Sequence, residues 1–548
     1  MECHCVPYAR LPNTSQLFLD YVDHFERVES FYKAPPFDPS SYVSVARELN
    51  YSPALRADMV RILSRQNEAF GAGDLTRSNL RRLGEPGTLA VVTGQQVGFF
   101  SGPAFTLYKA LTAVRLAERL SEQGLPSVPV FWLATEDHDL EEVAATAVLD
   151  DDYNLVALRD TGVRPAPHSS VGYVQLSAAV TEALDALGAT LPTGDARDRL
   201  LNDLRESYQP GATWGQAFAK FMARVFSPWG VILLDALDPE IHHLAAPLYT
   251  KAVVEAQDLN ARLVQRSHAL VAASYHAQVH VGPDSSLLFM AEEGNRVALR
   301  LADGGRRFKL DEGDPFSADE ARRRTEAHPG DITPNALFRP VVQDCLLPTV
   351  AYIAGPAELA YHAQSAVLYP RFERPQPVIF PRASFTLVDP RSDRLLRKYN
   401  LKVDDVWQDG ASLEQKIAAT GFSEGWQERL DQSERDIKLV MDRLQQDIQL
   451  IDPTLLDSLK DARERTLHQF DRLKGKVTRA AFAKSEILGR HEKALTSFLM
   501  PGGELQERGV SGVYFLGRAG YELLEQLLAA IPLELARHQI MPLHHGAE

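Results

Sequence analysis

The sequence predicts an α/β protein: a parallel-sheet core followed by a long antiparallel helical arm. Three observations carry this. Leu89–Thr93 and Val128–Ala134 are short apolar runs rich in β-branched and aromatic residues, the pattern of strands buried on both faces. Between them Ala104, Leu107, Tyr108, Leu111 and Val114 recur at helical spacing, which makes the connection a crossover helix in a βαβ unit. Much later, Leu430, Ile437, Met441, Leu444, Ile448 and Ile451 step by seven, four, three, four and three residues in a charged background, a coiled-coil seam.

Taken in order, residues 1–86 read as mostly helical, with Pro35-Pro36 separating two pieces and Glu85-Pro86-Gly87 punctuating the chain before the first strand. A core is expected over 87–390, with insertions at about 150–212 and 275–330. Ala144–Leu158 reads as one or two strands turning at Asp150–Asn154. The run VILLDA, ending in Asp235-Ala236, is another buried strand. Asp238-Pro239 then opens a long helix through about Leu270, with Asp as cap and Pro in the first turn. From Ala277 to Phe308 the alternation shifts to period two, and Glu293-Gly294-Asn295 suggests a hairpin turn. Asn335–Val342 and Leu347–Ile353 are expected to return the chain to the sheet, and Pro377–Val388 to form one last strand. The arm covers 391–500: Gln427–Ile451 spans roughly 36 Å as a helix, Asp452-Pro453 breaks it, and a second helix follows. Residues 501–548 are expected to pack back on the core. The arm's default partner is a second copy of the chain, giving a homodimer; the alternative is a seam closed within the hairpin.

Composition excludes some classes. The chain has 548 residues, 45% hydrophobic and 24% charged, with a formal charge of −15, so no electrostatic footprint for nucleic acid is present. Arg322-Arg323-Arg324 reads as a solvated helix face. There is no signal-peptide pattern at the start and no apolar run long enough to span a bilayer, which predicts a cytoplasmic, non-membrane protein. Three cysteines in so long a chain argue against a disulfide framework. Cys3-His4-Cys5 lacks the spacing of a structural metal site, Cys345 reads as a core residue, and no metal is predicted.

In open parallel sheets the site lies beyond the carboxyl ends of the strands. Here those ends carry Thr93-Gly94-Gln95-Gln96 and Thr135-Glu136-Asp137-His138-Asp139, so two polar loops should share one crevice. After the first loop, Ser101, Gly102 and Pro103 sit where a helix should begin. Its free N–H groups, with Gln95, Gln96, Thr106 and Lys109, suit an anion, or the helix is simply well capped. Neither a dinucleotide fingerprint nor a P-loop is present. In the second loop Asp139-x-x-Glu142 fits a capping box, which does not account for Glu136, Asp137 and His138; a His flanked by carboxylates can be an acid–base group or can share a divalent metal with them. A third cluster joins Arg339 and Gln343 to Gly355, Pro356, Glu358 and Tyr361, with Arg382 and Ser384 after the last strand; a salt-bridged sheet rim is its alternative.

At these residues the sequence resembles the bacillithiol synthase family, the cysteine-adding ligases of bacillithiol biosynthesis. The matching words are TGQQVGFFSGPAFTLYKA, FWLATEDHDLEEV, NALFRPVVQDCLLPTVAYIAGPAELAYHAQ, FPRASFTLV and LQERGV, spread from about residue 90 to 510. The resemblance implies a Rossmann-like core with connecting-peptide insertions and a coiled-coil domain used for dimerisation. It also implies small-molecule substrates, cysteine and glucosaminyl-malate, joined by an amide bond. A free carboxylate needs activation for that step, so ATP is the expected cofactor. The HIGH and KMSKS words of the related class I aminoacyl-tRNA synthetases are missing, so their catalytic residues are not carried over. The expectation is therefore that His138, tuned by Glu136 or Asp137, manages the amine proton or orients a substrate, that the Gly94–Lys109 loop and helix start hold an anion, and that Arg339, Arg382 and Glu358 are secondary contacts. Two alternatives stand beside it: a non-catalytic nucleotide-binding scaffold, and a ligase of the nucleotidyltransferase-like fold with another acceptor.

Overall fold

The computed structural model describes residues 4–164, 169–292, 295–310, 313–408, 410–421 and 425–544. Five strands form the central sheet: β1 (Leu89–Gln95), β2 (Ser127–Leu133), β3 (Ile232–Asp235), β4 (Thr349–Ala354) and β5 (Val378–Pro381). Their order is β5-β4-β1-β2-β3, and every pairing is parallel. All seven residues of β2 and all six of β4 are buried, which is why these strands read as continuous apolar runs without alternation. The chain leaves β1 towards β2 and β3 on one side and returns to β4 and β5 on the other. The β1/β4 boundary is thus the switch point, where two successive connections diverge and open a crevice. The crossover helix α1 (Phe105–Glu122) packs on β1 and β2 and buries the residues that set its periodicity, including Leu107, Tyr108, Leu111 and Val114.

Three further sheets and a helical hairpin surround this core. Ala145–Leu149 pairs antiparallel with Leu155–Arg159. The second insertion is a five-stranded sheet in which Ser285–Glu292 lies between Asn295–Ala302 and Ile332–Pro334. Glu293 and Gly294 of the expected turn lie outside the described residues, as does Cys3 of the Cys3-His4-Cys5 group. Trp426–Ile451 and Leu456–Ala483 form the antiparallel helical pair of the C-terminal part.

Three expectations need correction. The stretch from Asn335 does not re-enter the sheet: Arg339–Leu346 is a helix with Pro340 in its first turn, and only Thr349–Ala354 is a strand. The long helix after Asp238 is two, Pro239–Val254 and Ala256–Ala272. Pro377–Val388 is not one strand either. After β5 the chain breaks at Arg382-Ala383, and Ser384–Val388 joins a separate sheet beside His538–Pro542, which in turn pairs with His4–Val6. Both runs are buried on two faces, so local pattern could not show that they belong to different sheets.

Candidate active site

A cavity of about 740 Å³ lies over the carboxyl ends of β1, β2 and β4. Gly94, Gln95 and Gln96 reach it from β1, and Glu136, Asp137 and His138 from the loop after β2. Gly355, Pro356, Glu358 and Tyr361 face it from the start of the helix α2 (Pro356–Ser365), with Arg339 and Arg382 beside them. The strand-end loops therefore converge as the sheet topology requires. The roof comes from the second insertion: Leu287, Leu288, Phe289 and Arg296 line the opposite wall.

Lys109 is the buried hub between β1 and α2. Its ammonium donates to Gly94 O at 2.7 Å and Gln95 Oε1 at 2.9 Å, and lies 2.5 Å from Glu358 Oε2. An ammonium has three protons, and these contacts use all of them. Burial lowers its pKa to about 8 against the opposing pull of Glu358. Glu358 also accepts from Gly355 N–H at 2.8 Å and from the Tyr352 and Tyr361 hydroxyls at 2.8 and 3.3 Å. Burial alone would raise its pKa, but Lys109 and the Gly355 N–H outweigh it and hold the carboxylate below its ordinary range. Arg339 donates to Tyr361 OH at 2.7 Å.

The acidic loop divides its three groups. Glu136 is 4% exposed, its Oε1 has no hydrogen-bond partner among the described residues, and burial raises its pKa to about 7. Arg296 and Arg339 pull the other way without cancelling that rise. Asp137 is engaged on both oxygens, by the backbone N–H of His138 at 2.8 Å and by Gln96 Nε2 at 2.8 Å. His138 Nδ1 lies 2.9 Å from Arg296 Nη1.

Several expected site residues lie elsewhere. The start of α1 is not an open anion cradle. Ala104 N–H donates to Val510 O at 2.9 Å, and Gly102 O accepts from Ser511 Oγ at 2.9 Å and Gly512 N–H at 3.2 Å. Gly102 and Pro103 thus dock the C-terminal segment, Thr106 is buried behind them, and none of the three lines the cavity. Thr93 ties β1 to β4 through Ile353 O at 3.1 Å. Asp139 caps a short helix by accepting from Glu142 N–H at 3.1 Å. Gln343 is buried against Asp344, and Ser384 bonds His538 at 2.7 Å in the separate sheet. Arg382 does line the cavity, but its guanidinium is committed to buried Glu507 at 2.6 Å. The sequence reading missed Arg296, Phe289 and Arg508. Arg296 sits in an ordinary alternating strand run, and Arg508 and Glu507 had only the word LQERGV to mark them.

Residues 1–383 match the family model described as Bacillithiol biosynthesis BshC, N-terminal Rossmann-like domain, and residues 385–543 its C-terminal coiled-coil domain. The chain belongs to the BshC family. Similar relatives carry the name "Putative cysteine ligase BshC". That of Solibacter usitatus is 36% identical over 541 residues, covering 99% of this chain and all of the relative. That of Koribacter versatilis is 36% identical over 528 residues, 96% of this chain and 97% of the relative. The Salinibacter ruber protein is 33% identical over 542 residues, 98% of each. The Rossmann-like core and the coiled-coil domain of this BshC chain follow. Among the described residues no group of three or more His, Cys, Asp or Glu side chains is placed to hold a metal ion, and no helix is long and apolar enough to cross a membrane.

Proposed function

We propose that this chain is a cysteine ligase that joins the carboxyl of cysteine to the amine of glucosaminyl-malate, the new C–N bond forming as the bond from the acyl carbon to its activated oxygen breaks and that oxygen leaves, with Glu136 accepting the amine proton. The observation that carries this is one buried carboxyl with a bare oxygen in the cavity and a pKa raised to about 7. An amine attacks an acyl carbon only as the free base, and a group with its pKa near the working pH accepts the proton most effectively. Glu136 suits this better than His138, whose Nδ1 faces a guanidinium, or Asp137, whose oxygens are both bonded. Arg339 and Arg508 line the cavity with no carboxylate within ion-pair distance among the described residues. They are the groups that would meet the carboxylates of a malate-bearing acceptor. The relatives' name supports the ligase class, and the matched family model supports bacillithiol biosynthesis.

ATP is the proposed activator, and the residues expected to hold its phosphates do not fit that task. The start of α1 is covered by Val510–Gly512, and Lys109 has no proton to spare. The chain's own groups bind the anionic acceptor, exclude water and take up the amine proton. The test is turnover. Purified protein with cysteine, glucosaminyl-malate and ATP should yield the ligated thiol by mass spectrometry, with a rate that rises through about pH 7. Glu136→Gln should lower kcat about 100-fold or more and abolish that limb. No product from the wild-type chain, or an unchanged profile in the variant, would overturn the reading.

A further inference from the structure

Arg296 comes from the insertion, not from the core, yet its guanidinium is held on three sides. From Asn295–Ala302 it reaches across the neighbouring strand to the one beyond. Nε donates to Thr333 Oγ1 at 2.7 Å and Nη2 to Pro334 O at 2.9 Å. Between those anchors the guanidinium carbon stands 3.9 Å from the centre of the Phe289 ring, within cation–π range. Two hydrogen bonds and a ring face leave Nη1 aimed at one target, His138 Nδ1, at 2.9 Å.

A guanidinium has donors only. The nitrogen it meets must therefore present a lone pair, and an imidazolium has none to present. Asp137 Oδ1, the carboxylate oxygen nearest this nitrogen, stands 3.6 Å away, beyond hydrogen-bond reach, and is already bonded to the His138 backbone N–H. Of the two charged groups beside Nδ1, the Asp137 carboxylate would favour a proton there from 3.6 Å, but Arg296 is the one within hydrogen-bond distance, and it places the proton on the other ring nitrogen.

We propose that Arg296 is a positioning residue that holds His138 as the neutral imidazole protonated on Nε2. With Nδ1 occupied and Nε2 already protonated, His138 cannot serve as the proton acceptor of the acidic loop, and Glu136 is left with that role. The insertion sheet then does more than roof the cavity: through Arg296 it sets the chemistry of the loop after β2. The assignment to Glu136 rests on the ligase reading, whereas the tautomer is a property of the resting protein and is measured without turnover.

Nitrogen NMR on the full chain labelled with ¹⁵N-histidine tests this, with His138→Gln identifying the signals. The wild-type protein should show one bare and one protonated nitrogen, with Nδ1 bare, from about pH 6 to 8. Arg296→Met should lose that pattern, giving mixed tautomers or a ring that takes up a second proton as the pH falls. A doubly protonated ring at neutral pH, or a proton on Nδ1, in the wild-type chain overturns the proposal even if the variant fails to fold. An unchanged tautomer in a folded Arg296→Met protein overturns it as well. A bare Nδ1 in a chain that yields no ligated product would sink the ligase reading and leave this inference standing.

Discussion

Glu136 is costly to the fold in a way that can be measured. Its pKa is raised from 4.5 to about 7 by burial, so the folded state prefers the neutral acid. A carboxyl of this kind contributes its full stability below about pH 4.5 and loses it as the pH rises through about 7. The shift corresponds to at most ~3 kcal/mol. Glu136→Gln keeps the shape and removes the charge, so it should stabilise the protein by ~1–3 kcal/mol at pH 8 and by little at pH 5. Thermal melts at the two pH values decide it. Equal melting of variant and wild type at pH 8 would mean the carboxyl is not held dry and unpaired. The loop that carries Glu136 was legible in the sequence, because an acidic cluster at the end of an apolar strand exceeds what one capping box needs. The division of labour within it was not. Whether a carboxyl is bonded on both oxygens, as Asp137 is, or bare on one, as Glu136 is, depends on Gln96, which is 41 residues away.

At the scale of elements, β1, α1 and β2 were legible because both strands are buried on two faces and the crossover helix has one continuous apolar side. The use of the helix start was not legible. Ser101-Gly102-Pro103 signals a helix start equally whether the free N–H groups face a ligand or another part of the chain. The partner is Val510–Gly512, some four hundred residues later, and Ser511 Oγ bonds both Phe100 O at 3.1 Å and Gly102 O at 2.9 Å. To present those carbonyls Phe100 and Ser101 adopt left-handed backbone, with φ of 46° and 76°, a strain the seated segment compensates. Gly512 permits the close approach. A Cβ there would stand 2.6 Å from Leu107 Cδ1 and 2.9 Å from its Cγ, on a side chain that is 2% exposed and cannot swing away. Gly512→Ala should therefore cost about 1–3 kcal/mol in urea unfolding. It should also speed proteolytic cleavage near 501–512, since the segment loses its seat on α1. Wild-type stability and cleavage in the variant would show that the docking is dispensable.

At the scale of the whole molecule, the a/d spacing was legible as a seam, but what the seam meets was not. Leu430, Ile437, Met441 and Ile448 are only half-buried, facing the second helix of the hairpin. Lys474 to Asp431 at 2.5 Å and Arg463 to Asp442 at 2.8 Å fix the antiparallel register. The hairpin leaves much apolar surface in water: Leu439 is 52% exposed, Val440 51%, Leu473 53%, Leu450 86% and Ile451 81%. Scattered single apolar residues are ordinary on a surface, whereas several on one two-helix element mark an interaction face. The seam meets the second helix at Leu430, Ile437, Met441 and Ile448, while its own Leu444 and Ile451 stay exposed, so the hairpin leaves apolar surface to cover. That combination favours self-association through the arm, with the two copies joined away from the cavity. Sedimentation at micromolar concentration should give twice the 60.8 kDa chain mass. Leu439→Glu together with Leu450→Glu should reduce it to one chain, while the melting of the α/β core stays unchanged, because neither side chain touches that core. A wild-type chain sedimenting as a monomer, or a double variant that remains a dimer, would remove the arm from the assembly and leave its apolar face to some other partner.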